Sequence, residues 1–301
     1  MPEILHDLSW VLPLRHDWLT PLMHGFTQLG YEKFILFFLP LGYWAWNKPL
    51  FLRLFLLVAF TAVFNAFCKD LWQDPRPALD YRMDHEVGQS FGLPSGHAQI
   101  AVVLWLWLAY ELRQRWMWLL SGVVVSGIIF SRLYLGAHDL EDVLGGALLG
   151  ALTLLGFALV QPLRWWREAN AFWHLGLIVL LALGFQLAWQ GTAPHYVPLL
   201  AAMLVGVLLG YRLEGRWLDS HAQVSTWRRL LAAALGAGAF LLLQVALKAL
   251  ADLWPLQDWL WQVVRGLIMG LFVAALMPWV LVRLQLLGAR ASRPLASEVL
   301  E

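Results

Sequence analysis

The sequence predicts an all-α, polytopic membrane protein: a helical-bundle core in the first half, with about four further transmembrane helices behind it. Three observations carry this expectation. Of 301 residues, 60% are hydrophobic and only 14% charged, where a soluble domain averages roughly 45–50% and about 25%. Mean hydropathy is +0.63. Apolar windows of about 20 residues recur, each long enough to cross bilayer hydrocarbon as a helix. Period-2 strands with turn punctuation, the mark of a membrane barrel, are not evident.

In chain order, residues 1–30 read as a short amphipathic segment lying at the interface. The first ten residues are acidic rather than basic, which argues against a cleaved signal peptide. Candidate spans follow at about 32–47, 50–69, 97–113, 116–132 and 139–161. Others are expected at about 171–190, 195–212, 229–251 and 259–283. The stretch 70–96 differs: Asp70, Asp74, Asp80, Asp84 and Glu86 mix with Pro75, Pro77, Gly88, Gly92 and Pro94 in a polar loop. A boundary falls near Gln161–Arg167. It divides a core (1–165) from a C-terminal transmembrane region (166–288) and a polar cytoplasmic tail (289–301), which is expected to be disordered. Tryptophans flanking apolar runs (Trp44, Trp46, Trp165, Trp166, Trp254, Trp259) read as interfacial belts. The lone Cys68 excludes an intramolecular disulfide and reads as a small buried residue. A net charge of +1 gives no sign of a nucleic-acid partner.

Three polar clusters interrupt this apolar chain: Lys69 with Arg76-Pro77, Pro94-Ser95-Gly96-His97, and Ser131-Arg132 with His138 and Asp142. Polar groups among membrane spans are costly and usually functional. On the predicted spans, Lys69 ends the second, His97 begins the third, Arg132 ends the fourth, and His138 to Asp142 begin the fifth. Counting crossings puts all three clusters on one face. The opposite face receives 13 of the 21 Lys and Arg residues. By the positive-inside rule, the clusters then face away from the cytoplasm, on the periplasmic side of a bacterial inner membrane.

The residue types suit phosphate chemistry. His138 and Asp142, spaced i, i+4, share one helix face. A carboxylate there can fix the imidazole tautomer and leave the other ring nitrogen free as a nucleophile. A helix-start acid beside a packed histidine explains the pair about as well. Pro94–His97 opens a span. Its free amides, with Gly96 and the Ser95 hydroxyl, make an anion site, and His97 is placed to act as a general acid. An N-cap serine with an incidental histidine is the plainer alternative. Lys69, Arg76 and Arg132 supply cations for phosphoryl oxygens, although a single terminal Lys or Arg more often snorkels. Pro75 and Pro77 restrict the backbone around Arg76.

Together the clusters resemble the signature of the type-2 phosphatidic acid phosphatases, or lipid phosphate phosphatases: Lys-x6-Arg-Pro, Pro-Ser-Gly-His and Ser-Arg-x5-His-x3-Asp. Here these read Lys69 to Arg76-Pro77, Pro94-Ser95-Gly96-His97, and Ser131-Arg132 to His138 and Asp142, with no departure at any signature position. The resemblance covers roughly residues 20–160. It implies that His138 is the nucleophile and forms a phosphohistidine, that Asp142 orients it, and that His97 protonates the leaving group. It implies phosphate binding by Lys69, Arg76, Ser95, Gly96 and Arg132, with no metal and no other cofactor. Soluble vanadium-dependent haloperoxidases share the signature, but the hydrophobic spans argue against that branch. Asp139 and Glu141 lie outside the signature and read as solvated or helix-start acids.

The expected activity is hydrolysis of a lipid phosphate or diphosphate at the outer leaflet. Undecaprenyl diphosphate is the first choice, ahead of phosphatidate, phosphatidylglycerophosphate and sphingoid phosphates. The expected partners are that substrate and membrane lipids, with a homodimer as one use of the small-xxx-small pair Gly146 and Gly150. In the second half, Arg212 and Glu214 can pair within a charged turn, although a plain positive-inside loop is the preferred reading, and Lys248 and Arg265 read as snorkelling cations. A lipid transporter or flippase fused to the core is the competing reading for this half, and a silent scaffold is a weaker one.

Overall fold

The computed structural model describes residues 2–84, 86–88, 90–168, 171–189, 193–253 and 257–290. Trp254, Arg293 and the tail from residue 291 lie outside the described residues. The chain is all-α. Its helices are α1 (Pro2–His6), α2 (Thr20–Gln28), α3 (Glu32–Ala45), α4 (Lys48–Trp72), α5 (Gly96–Leu112), α6 (Arg115–Tyr134) and α7 (Leu140–Val160). They continue with α8 (Arg164–Arg167), α9 (Ala171–Ala188), α10 (Tyr196–Trp217), α11 (Thr226–Leu253), α12 (Asp258–Leu271) and α13 (Met277–Arg283). The strands among the described residues are β1 (Ser220–His221) and β2 (Gly288–Ala289), paired antiparallel.

The protein is a multi-pass membrane protein. Among the described residues, six helical runs are long and apolar enough to cross a bilayer: α4, α6, α7, α10, Thr226–Ala251 of α11, and the run from α12 through α13. The other three predicted spans form shorter helices. α3 has 14 residues and α5 has 17. Asn47 divides α3 from α4 by accepting the Leu50 amide through its side chain at 3.0 Å. α5 stops where Arg113 turns left-handed, with φ 53°. Even so, α5 runs the depth of its neighbour. Arg53 of α4 meets Glu111 of α5 through two hydrogen bonds of 2.5 and 2.8 Å, about 24 Å along α4 from Lys69 at 1.5 Å per residue.

The described chain forms two compact units. The first comprises Met1–Leu36, Arg53–Ala169 and Leu183–Pro194. Its centre is α5, predominantly apolar and buried from Ala98 to Ala109 except at the half-buried Ile100 and Leu106, as expected for a helix enclosed by others. Gly146 and Gly150 of α7 lie against it. A methyl on Gly146 would sit 2.4 Å from the Ser95 carbonyl oxygen, and one on Gly150 2.8 Å from that of Gln99. This pair therefore packs α7 onto α5 within the chain and offers no free dimer face. The N-terminal segment is also not merely interfacial. Leu8 and Val11 are buried with Met23, Leu133, Tyr134 and Val143 in one core.

The second unit comprises Phe37–Leu52, Asn170–Ala182 and His195–Glu301. α10 and α12 approach through Gly206, Gly266 and Gly270, with Val207 and Met269 buried beside them, and Gly210 lies against Ala274 just beyond α12. Phe272–Leu276 forms a π turn ahead of Pro278. Proline has no N–H to return to a preceding carbonyl, and the Val273 carbonyl instead accepts Trp44 Nε1–H at 2.8 Å. Trp44 is therefore buried, at 2% exposure, rather than interfacial. Two details of charge also emerge. Glu214 pairs with Lys48 at 2.7 Å, and not with Arg212, the less favoured of the two sequence readings. Arg265 does not simply snorkel, because it donates to Gln244 of α11 at 3.0 Å.

Candidate active site

The three polar clusters converge at one end of the first unit. Lys69 closes α4, Ser95 caps α5, and Arg132 sits in the last turn of α6. His138 lies in the turn before α7, and Asp142 in the first turn of that helix. Gly136 makes this turn possible. Its φ is +65°, and a methyl there would lie 2.0 Å from the Tyr81 carbonyl oxygen. Only glycine suits both the left-handed backbone and that close approach. Asp139 then caps α7. Its Oδ1 accepts the Asp142 amide at 3.0 Å, and Asp142 Oδ2 accepts the Asp139 amide at 3.3 Å. This reciprocal capping box fixes the first turn. Asp139 is thus a helix-start acid, but a buried rather than a solvated one.

His138 is held from both sides. Its Nδ1 lies 2.8 Å from Asp142 Oδ2, and its Nε2 lies 3.2 Å from Arg76 Nη1. A guanidinium only donates. The partners therefore assign the proton to Nδ1, donated to Asp142, and leave a lone pair on Nε2. Burial pushes the His138 imidazole well below its ordinary pKa, and the nearby charges of Arg76, Lys69 and Arg132 add to this. The ring is neutral, as a nitrogen nucleophile must be.

The cations surround it. Lys69 is buried and donates to the Gly92 carbonyl at 2.7 Å and to the Phe91 carbonyl. Arg76 donates to the Ala137 carbonyl at 2.8 Å, the Ser90 carbonyl at 2.6 Å and the Ser90 hydroxyl at 3.0 Å. Burial, with Arg132 nearby, lowers Arg76 to about 10, still charged at neutral pH. Arg132 is 1% exposed. Its Nη1 donates to Asp84 at 2.7 Å and to the Thr27 hydroxyl, and its guanidinium stands 5.8 Å over the Tyr31 ring. Burial would raise the Asp84 carboxyl, but the Tyr31 hydroxyl and Arg132 outweigh it and hold Asp84 below its usual range.

His97 stands against the edge of Tyr31, with ring centroids 4.6 Å apart. Among the described residues, the buried side-chain atoms around the site without a hydrogen-bond partner include Arg132 Nε, His97 Nε2 and Asp142 Oδ1, together with Asp74 Oδ2 and Gln99 Nε2. Unpaired buried polar atoms are costly, and Arg132 and His97 are groups that can donate to an anion. Ser95 is engaged locally, its hydroxyl accepting the Ala98 amide at 3.5 Å as the helix cap. Gly96 faces Asn65, whose side-chain amide donates to the Pro94 carbonyl at 3.0 Å and to Gln99 at 2.9 Å. Among the described residues, no three His, Cys, Asp or Glu side chains gather as metal ligands. The balance of charge around His138 suits an anion.

Several residues here were not singled out from the sequence: Thr27, Tyr31, Asn65, Asp84, Ser90 and Gln99. Asn65 carried a signal, as an amide within an apolar span. Thr27 and Tyr31 carried none, because their relevance depends on where α2 and α3 pack.

Residues 50–166 match the model of the PAP2 superfamily, and residues 199–292 match that of the PAP2 superfamily phosphatase transmembrane extension. Phosphatidylglycerophosphatase B of Bacillus subtilis is 33% identical over 153 residues, which cover 46% of this chain and 73% of that protein. Sphingosine-1-phosphate phosphatase 2 of Mus musculus is 31% identical over 144 residues, covering 45% of this chain and 40% of that protein. The match to its Homo sapiens counterpart likewise spans 34% of that protein's length. The crystal structure of a transmembrane PAP2-type phosphatidylglycerolphosphate phosphatase from Bacillus subtilis aligns with a TM-score of 0.44 at 26% identity, over 52% of this chain and 84% of that one.

Proposed function

This chain belongs to the PAP2 superfamily, and from that premise we propose that it is an integral membrane lipid phosphatase working through a phosphohistidine on His138. One observation carries this reading: His138 has Nδ1 tied to Asp142 and its Nε2 lone pair turned toward Arg76. A phosphate held by Arg76 would stand in front of that lone pair. Nε2 attacks phosphorus, and the bond from phosphorus to the lipid oxygen breaks. His97 gives its proton to the departing oxygen. Asp142 accepts the Nδ1–H throughout and stabilises the positive ring. Water then attacks the phosphohistidine, returns a proton to His97 and releases inorganic phosphate.

Lys69, Arg76 and Arg132 offset the charge on the phosphoryl oxygens, a part that needs no metal ion. The unpaired Nε of Arg132 is the donor left over for this purpose. Ser95 and Gly96 present the amide end of α5 to the same anion. Lys69 and Arg76 now hold backbone carbonyls of residues 90–92 and 137, so substrate entry exchanges those contacts for phosphate oxygens.

The excess of basic residues at the opposite face supports an extracytoplasmic site, periplasmic in a bacterial inner membrane. Undecaprenyl diphosphate heads the proposed substrates, followed by phosphatidylglycerophosphate, phosphatidate and sphingoid phosphates. The two relatives, a phosphatidylglycerophosphatase and a sphingosine-1-phosphate phosphatase, favour the monoesters within that series. A homodimer would need a surface other than Gly146 and Gly150. The test is phosphate release by purified full-length protein across this lipid panel, in chelator. Turnover of at least one lipid, lost in His138→Ala, is the expected result. Equal release by His138→Ala would refute the mechanism.

A further inference from the structure

His6 reaches the His138–Asp142 pair from the far end of the chain. Its Nδ1 lies 2.7 Å from Asp139 Oδ2 and its Nε2 lies 3.2 Å from Glu141 Oε2. The other Asp139 oxygen caps the Asp142 amide. The Asp139 amide donates to Asp142 Oδ2, the oxygen that also holds His138 Nδ1. Imidazole, carboxylate, capping box, carboxylate and imidazole therefore form one hydrogen-bonded chain. It runs from His6, whose side chain is 43% exposed, to His138, at 2%. Asp139 is itself nearly closed to solvent, at 3%. A buried carboxylate beside a second one needs a counter-charge to stay ionised and in place. His6 supplies it.

We propose that His6 is a positioning residue for the His138–Asp142 pair, and that its doubly protonated ring, clamped to both Asp139 and Glu141, sets the reactive alignment. This rests on His138 being the phosphoryl acceptor. The charged groups facing His6 are acidic: Asp139 and Glu141 at the start of α7, and Asp74 from the loop after α4. Asp7, next to it in sequence, is turned to Ser9. The hydrogen bond to Asp139 is the largest influence on His6 and raises it above the ordinary imidazole value. Protonated, each ring nitrogen donates to one carboxylate. Neutral, the ring has a single N–H and must present a lone pair to one of them. The sign follows. The clamp is complete at low pH and is lost as pH rises through a value above about 6.5.

The test is kcat and KM from pH 5.5 to 9 for full-length wild type, His6→Gln and His6→Lys. Wild-type kcat should fall about five- to tenfold on the alkaline side with KM unchanged, the net worth of one ordinary hydrogen bond. His6→Gln should show the lower kcat at every pH and no step. His6→Lys, a fixed cation, should hold the higher kcat toward pH 9. An alkaline step that persists in His6→Gln would overturn the proposal, even if kcat were uniformly lower. Histidine-labelled protein gives a readout free of turnover: the His6 signal should titrate above about 6.5 in wild type and move down in Asp139→Asn. Identical titration in both would also overturn it. A wild type without turnover at any pH would instead refute the phosphatase reading, with the His6 titration still deciding this one.

Discussion

Asp84→Asn isolates what the buried Arg132 depends on. The side chains of Arg132 and Asp84 are 2% and 5% exposed and meet at 2.7 Å. Removing one partner of such a pair costs about 3–5 kcal/mol, because a charge is left buried and uncompensated. Asparagine keeps an oxygen for Arg132 Nη1 and for the Tyr31 hydroxyl, which donates to Asp84 at 2.6 Å, so the lower figure of about 3 kcal/mol applies. At pH 7.5 the whole effect is present, since Asp84 is ionised at any pH above the ordinary carboxylate value of about 4. A phosphate bound at the free Arg132 Nε would restore the missing negative charge. Thermal unfolding in detergent, with and without orthophosphate, reads both effects. The variant should melt lower than wild type, and phosphate should raise its midpoint more than that of wild type. An unchanged midpoint would refute the buried-pair argument. Equal stabilisation of both proteins by phosphate would refute the placement of the anion at Arg132.

Other expectations concern pH, packing and the second unit. Because burial and three cations depress His138, its ring should stay neutral as pH falls below about 6.5. Histidine NMR should show no His138 transition from pH 8 down to that value, and stability should decline below it as the unfolded chain takes up the proton. A folded-state transition near 6.5 would contradict the site electrostatics. Gly146→Val should cost about 1–3 kcal/mol by forcing α7 off α5, read as a lower melting midpoint together with reduced turnover. Lys48→Met alone should lose about 3 kcal/mol by stranding the buried Glu214. The double variant Lys48→Met/Glu214→Leu should recover most of that midpoint. A double variant no more stable than the single one would contradict pairing as the cause.

How far the sequence carried these conclusions depends on how local each feature is. Most signature residues were legible because they sit at helix ends fixed by their own neighbours; Arg76 lies instead in the loop after α4, held by Ser90 and Ala137. Gly136 shapes the His138 turn, Ser95 caps α5, and Asp139 caps Asp142. Their supports were not legible, because folding brings them from afar. Asp84 lies 48 residues from Arg132, Thr27 lies 105 residues from it, and His6 lies 133 residues from Asp139. The long spans followed from apolar length alone. α5 keeps the expected 17 residues, while α3 ends two residues short of its expected limit, ahead of the Asn47 break, a detail that hydropathy does not carry. Trp44 flanks an apolar run just as Trp46 does, yet a carbonyl facing Pro278 draws it into the interior. Gly146 and Gly150 were rightly read as a packing pair, but the helix they receive is α5 of the same chain.

The central claim is that phosphate passes through His138. Purified protein mixed with a lipid phosphate radiolabelled in its phosphate, then quenched in alkali within milliseconds, tests this most directly. The account predicts label on the wild-type protein that is stable to alkali, released by acid and mapped to the peptide bearing His138, with none on His138→Ala. Turnover by wild type with no such label, or turnover by His138→Ala at the wild-type rate, would contradict it.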